Sequence, residues 1–256
     1  MGPYAAAAVL ILAVSSSAAQ DLTLAIPRVR RSFNIDNLPV AITASGTISR
    51  VSHGGGAEVF RLRLTADLAD LQANITALLR AQLDRSDRCG DHIAIQSATL
   101  APADPASLLT TRLHYERWAC VKALGTQIVR RLAGGDALVK VRIAPSVEGN
   151  TTVKLEPEVG QIEADGSLGE LLRSGSLGEA LRQKIHASLE SALEKGAANL
   201  NATLPPAAQS FATIRGAQFT DAGAGRLAVV LVGEIHIPTG QVELLLGQIK
   251  QRAASR

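Results

Sequence analysis

The chain has 256 residues, 46% of them hydrophobic and 19% charged, with a formal net charge of +3. That balance describes a globular protein, not a disordered one, and gives enough chain for one sizeable core or two small ones. Aromatics at 3% leave the core to Leu, Ile, Val and Ala. The charge is spread along the chain with no Lys/Arg block interleaved with aromatics, so no nucleic-acid partner is expected.

Ala5 to Val14 is an unbroken apolar run, followed by Ser17-Ala18-Ala19 in the small-x-small pattern of a cleavage site. Residues 1–19 read as a secretory signal peptide, too short to span a bilayer as a mature helix, although no Lys or Arg precedes the run. A retained N-terminal anchor is the competing reading. Residues 20–256 are then a single exported domain, soluble and in a bacterial periplasm or secreted. Its lead-in carries Leu22, Leu24 and Ile26, then a basic cluster of Arg28, Arg30 and Arg31 that is expected to be solvated.

Two internal repeats are expected, about 38–120 and 137–238. In the first, Ile42, Ala44, Gly46 and Ile48 share one parity, and His53-Gly-Gly-Gly56 supplies a turn. Phe60, Leu62, Leu64 and Ala66 return on one face while Arg61, Arg63 and Thr65 face water. Period two then gives way to a helix over 67–86, capped by Asp67, with Leu68, Leu71, Ile75, Leu78, Leu79 and Leu83 inward and Asp70, Gln72, Arg80 and Asp84 mostly opposite. At 1.5 Å per residue it would be roughly 30 Å long. A closing hairpin follows. Pairing Ile93 and Ile95 with Tyr115 and Leu113 sets Leu100 against Leu108 across a Pro102-Ala-Asp-Pro105 turn.

Val121 to Asp136 reads as a bridge with a Gly134-Gly135 break. The second unit opens with Val139, Val141 and Ile143, turns at Glu148-Gly-Asn150 and returns through Val153, Leu155 and Val159. Ser167-Leu-Gly-Glu170 and Ser176-Leu-Gly-Glu179 are tandem capping boxes, and the helix from Ser176 turns Leu177, Leu181, Ile185, Leu189, Leu193 and Leu200 inward. Carrying the first hairpin's register forward sets Phe219 against Leu227 and Phe211 against Ile235, and this repetition of register is the main sign of duplication. Residues 239–252 are expected to form a terminal helix with Val242, Leu245, Leu246 and Ile249 on one side.

Cys89 and Cys120, the only two cysteines, flank the first closing hairpin and are expected to form a structural disulfide, stabilising by roughly 3–4 kcal/mol. The five histidines, His53, His92, His114, His186 and His236, form no ligand spacing, and His114 and His236 point away from the main apolar face. No nucleophile elbow, phosphate loop or acidic calcium loop is present, so no metal, cofactor or catalytic residue is assigned and an enzyme is not expected. What the pattern offers is an apolar lining of Phe60, Leu62, Leu64, Leu71, Ile75, Leu78, Ile93, Ile95, Leu113, Tyr115, Leu181, Ile185 and Leu189 between sheet and helix. Such a layer is either a closed core or a ligand groove.

Phe60-Arg-Leu-Arg-Leu64 leading into Leu68-x-x-Leu71, and the stretch from Phe211 to Ile237, resemble elements of tubular lipid-binding (TULIP) proteins. The resemblance covers most of residues 38 to 238 and rests on element order and apolar pattern. It implies long helices inside a curved antiparallel sheet that accommodates a lipid. From the order of strand and helix patterns, the expected fold is α+β, with two β-hairpin/long-helix/β-hairpin repeats. The expected function is binding or carrying a lipid or other apolar molecule. The alternative is a structural or interaction module of the cell envelope, which would engage a protein partner through the terminal helix, or a cystatin-like inhibitor.

Overall fold

A computed structural model describes residues 23–35, 37–54, 57–86, 89–123, 126–149, 152–173 and 212–238, together with positions 179, 183, 186, 187 and 190. The described chain is mostly β and forms two five-stranded antiparallel sheets. The first holds β1 (Thr23–Ile35), β2 (Leu38–Gly54), β3 (Ala57–Asp67), β10 (Leu227–Pro238) and β9 (Ala212–Asp221), in that order. The second holds β4 (Arg85–Ser86), β5 (Gly90–Ala103), β6 (Ala106–Ala123), β7 (Thr126–Glu148) and β8 (Thr152–Ala164). Two short helices, α1 (Ala69–Leu83) and α2 (Gly166–Arg173), complete it.

The expected α+β class, with long amphipathic helices, is thus corrected. The lead-in and the supposed bridge are strands, because backbone pairing extends them through stretches with no clean apolar alternation. Helix α1 stops at Leu83 because Asp84 turns to extended backbone and Arg85–Ser86 pair with Ile93 and His92. The helix expected from Ser176 is described only at the five positions above, all helical and exposed. Leu181, Ile185, Leu189, the terminal helix 239–252 and the signal segment lie outside the described residues.

Hairpin faces follow the sequence pattern closely. Gly46 faces Leu64 and Ile48 faces Leu62, with Arg61 and Arg63 exposed on the other side. In the first closing hairpin Ile93 faces Tyr115 and Ile95 faces Leu113 as expected, but a bulge after Ile95 brings Leu100 against Leu109, not Leu108. In the second hairpin Phe219 faces Val229, not Leu227. There the Asp221 carboxylate accepts the Gly223 N–H at 2.7 Å and the Ala222 N–H donates to the Arg226 carbonyl at 2.8 Å, which lengthens the turn. A two-residue shift keeps parity, so Phe219 still points inward. Phe211 lies outside the described residues.

One core joins the sheets. Ile95, Leu100, Leu109 and Leu113 of the second sheet pack with Leu68 and Leu79 near α1, Leu168 of α2, and Phe219, Leu227 and Val229 of the first sheet. Leu168 and Leu227 are fully buried. The Ser167 hydroxyl does not close a capping box; it donates to the Gly134 carbonyl at 3.1 Å and fastens α2 to β7. Gly135 is required there, since a Cβ would lie 2.8 Å from the Asp165 carbonyl oxygen.

Candidate functional site

The polar side of α1 is not a solvated face. Asp70, Gln72, Thr76, Arg80 and Asp84 bond to strand backbone, four of them at intervals of four residues. The Thr76 hydroxyl donates to the Ala98 carbonyl and accepts the Ala98 N–H, each at 3.0 Å. Arg80 donates to the carbonyls of Ile95 and Gln96 at 2.8 and 2.7 Å, and Asp84 accepts the Ile95 N–H at 2.7 Å. Gln72 donates to the Leu100 carbonyl at 2.8 Å and accepts the Leu227 N–H at 2.7 Å. Asp70 accepts the Ala41 N–H of β2 at 2.6 Å. Beyond its short pairing with β4, the outer edge of β5 is therefore covered by helix side chains in place of a strand. Arg80 and Asp84 also hold the bulge that shifts the hairpin register. Buried backbone groups need such partners.

With α1 fixed this way, the expected lining residues separate. Ile95, Leu113 and Tyr115 are buried in the core between the sheets, with Leu71, Ile75 and Ile93 packed against it. Phe60, Leu62 and Leu78 are also buried but do not belong to that cluster. Phe60, Leu62 and Leu64 lie on the inner face of the first sheet, where successive rows cross the strands. One row runs Leu24, Ile48, Leu62, Gly233, Ile214; the next runs Ile26, Gly46, Leu64, Leu231, Ala217. At one end, Ala66, Leu231 and Val229 of the same face join the core between the sheets. The other end carries Phe60, Ile235 and Ala212 in line with Arg50, whose guanidinium sits 5.9 Å from the Phe60 ring centre and 3.0 Å from the buried Glu58 carboxylate.

Two glycines shape this strip. A Cβ on Gly46 would lie within 2.4 Å of the Arg63 carbonyl oxygen, and one on Gly233 would lie 2.5 Å from that of Thr213. Bulges interrupt the same sheet between Ile26 and Val29, Arg50 and Ser52, and Val232 and Gly233. Glycines and bulges are the devices that bend a sheet. On the β1 side the apolar strip reaches solvent at Leu24, which is 46% exposed.

No family model matches the chain, and no curated protein or solved structure matches it.

The disulfide is present: Cys89 and Cys120 are bonded with Cα atoms 5.6 Å apart. Such bonds form and persist in oxidising compartments and are rare in the cytosol. The outer face of the second sheet carries a polar network. His114 Nδ1 lies 2.7 Å from Asp136 and Nε2 lies 3.5 Å from Glu116, which also accepts from the Trp118 indole at 2.9 Å and Arg131 at 2.8 Å. The hydrogen bond with Asp136, helped by Glu116, raises the His114 pKa above its ordinary 6.5 despite opposing desolvation. On the opposite face Tyr115 donates to Asp91 at 2.7 Å, and burial, then that bond, pushes its pKa up to about 12. His114 faces outward, as its register predicts. The backbone-binding side chains of α1 leave no signal in the sequence, because a helix face that binds backbone and one that binds water have the same composition.

Proposed function

We propose that this is an exported protein, of a bacterial periplasm or secreted, that binds a lipid or similar amphiphile along the inner face of its first sheet. The observation that carries the reading is the apolar strip through Ile48, Leu62, Leu64 and Phe60. It continues past the core between the sheets, is notched by Gly46 and Gly233, and runs from the solvent-exposed Leu24 to the charged Arg50–Glu58 pair. Phe60 and Leu62 are shielded from solvent, so an acyl chain would take the place of their present cover, gaining roughly 0.8 kcal/mol per methylene removed from water, and the polar end suits a headgroup. No catalytic role is assigned.

Uptake of a fluorescent long-chain acyl probe by the purified protein tests this. Leu62→Glu should abolish uptake, and Leu108→Glu, on the second sheet and already partly exposed, should leave it unchanged. Uptake that tolerates Leu62→Glu in a folded protein would contradict the assignment.

A further inference from the structure

Val121 to Asp136, expected as a bridge between the repeats, forms the end of the longest hairpin in the described structure. Strands β6 and β7 pair from Ser107–Ile143 down to Ala123–Thr126, while pairing with β5 reaches only to Trp118 and pairing with β8 only to Ala137. Residues 119–123 and 126–130 are therefore a two-stranded arm that no third strand flanks among the described residues. A lone ribbon is marginally stable in water, and the Cys89–Cys120 bond ties this one to the sheet where it leaves it.

Aliphatic side chains stand out on this arm. Val121 is 60% exposed and Ile128, directly opposite it, 54%; Leu132, the bulged residue at the base, is 60% exposed. Around them are Arg117, Lys122, Arg130 and Arg131, and residues 117–133 contain no Asp or Glu. Arg117 pairs with Asp91 and Arg131 with Glu116 at the base. Lys122 and Arg130 are exposed beside the aliphatic pair, and Arg130 shares its face.

We propose that this arm docks the protein onto an anionic lipid bilayer. Aliphatic residues entering the headgroup boundary, flanked by long basic side chains that reach lipid phosphates, are the pattern that surface-bound segments use. A nucleic acid would leave Val121, Ile128 and Leu132 without partners. An acidic protein would not require exposed aliphatics on the arm. The inference stands apart from the ligand strip, which lies on the other sheet, so either can fail alone.

Co-sedimentation with vesicles of phosphatidylcholine, with and without phosphatidylglycerol, tests the proposal. Binding should require the anionic lipid. Lys122→Gln with Arg130→Gln should weaken it about fivefold per charge removed, and Val121→Ser with Ile128→Ser about tenfold or more. Trp118, the only tryptophan, adjoins the arm, so brominated lipid should quench its fluorescence on binding. An intact disulfide and unchanged melting would show that the variants fold. No binding, equal binding to pure phosphatidylcholine, or binding that survives both double variants would overturn the proposal, the last two by assigning attachment to other chemistry or another surface.

Discussion

Thr76 bonds both backbone groups of Ala98 through one hydroxyl, so its loss leaves two strand groups without partners. Thr76→Val should therefore cost about 1–3 kcal/mol in urea unfolding, although the side chain keeps its shape. An unchanged midpoint would mean that water replaces the hydroxyl. His114 makes a pH-dependent contribution. Its folded pKa lies above 6.5, so the stabilisation is complete below 6.5 and is lost as pH rises through the folded value. Asp136→Asn should return the imidazole titration, followed by proton NMR, toward 6.5; a midpoint that stays put would assign the shift to Glu116. Tyr115 should titrate near pH 12 in an ultraviolet titration, well after an ordinary tyrosine.

At the scale of elements, the first sheet depends on backbone approach at two glycines. Gly46→Ala would drive a Cβ into the Arg63 carbonyl and the Leu64 side chain, and should lower the melting temperature more than Gly216→Ala, where a Cβ meets nothing within 4 Å. Reduction of Cys89–Cys120 should cost roughly 3–4 kcal/mol. Hydrogen exchange should then rise most in residues 119–130; uniform exchange would mean that the arm does not rely on the bond. What the sequence shows of these elements divides along physical lines. The faces of β2 and β3 and the first half of the β5–β6 register are legible because one side is buried, which enforces alternation. The bulge after Ile95 is not, since it is held by Arg80 and Asp84 from another element. Nor is the arm, whose pairing is carried by backbone while its side chains face solvent.

For the whole molecule, the same distinction explains the change of fold class. Periodicity finds helices and one-sided strands, and it passes over β1 and the start of β7, where side chains are exposed and hydrogen bonds define the strand. The cysteine pairing was legible because two cysteines allow a single bond. The expected lining was legible as apolar, but which part closes into core depends on α1 docking, so Ile95, Leu113 and Tyr115 fell inside the shared core while Phe60, Leu62 and Leu64 lie on the strip. Native mass spectrometry of the protein purified from its own cells, with organic extraction of whatever dissociates, tests the central claim most directly. The account predicts a lipid at defined stoichiometry that survives gel filtration and is lost in Leu62→Glu. An apo mass, with no uptake from a mixed lipid extract, would contradict it.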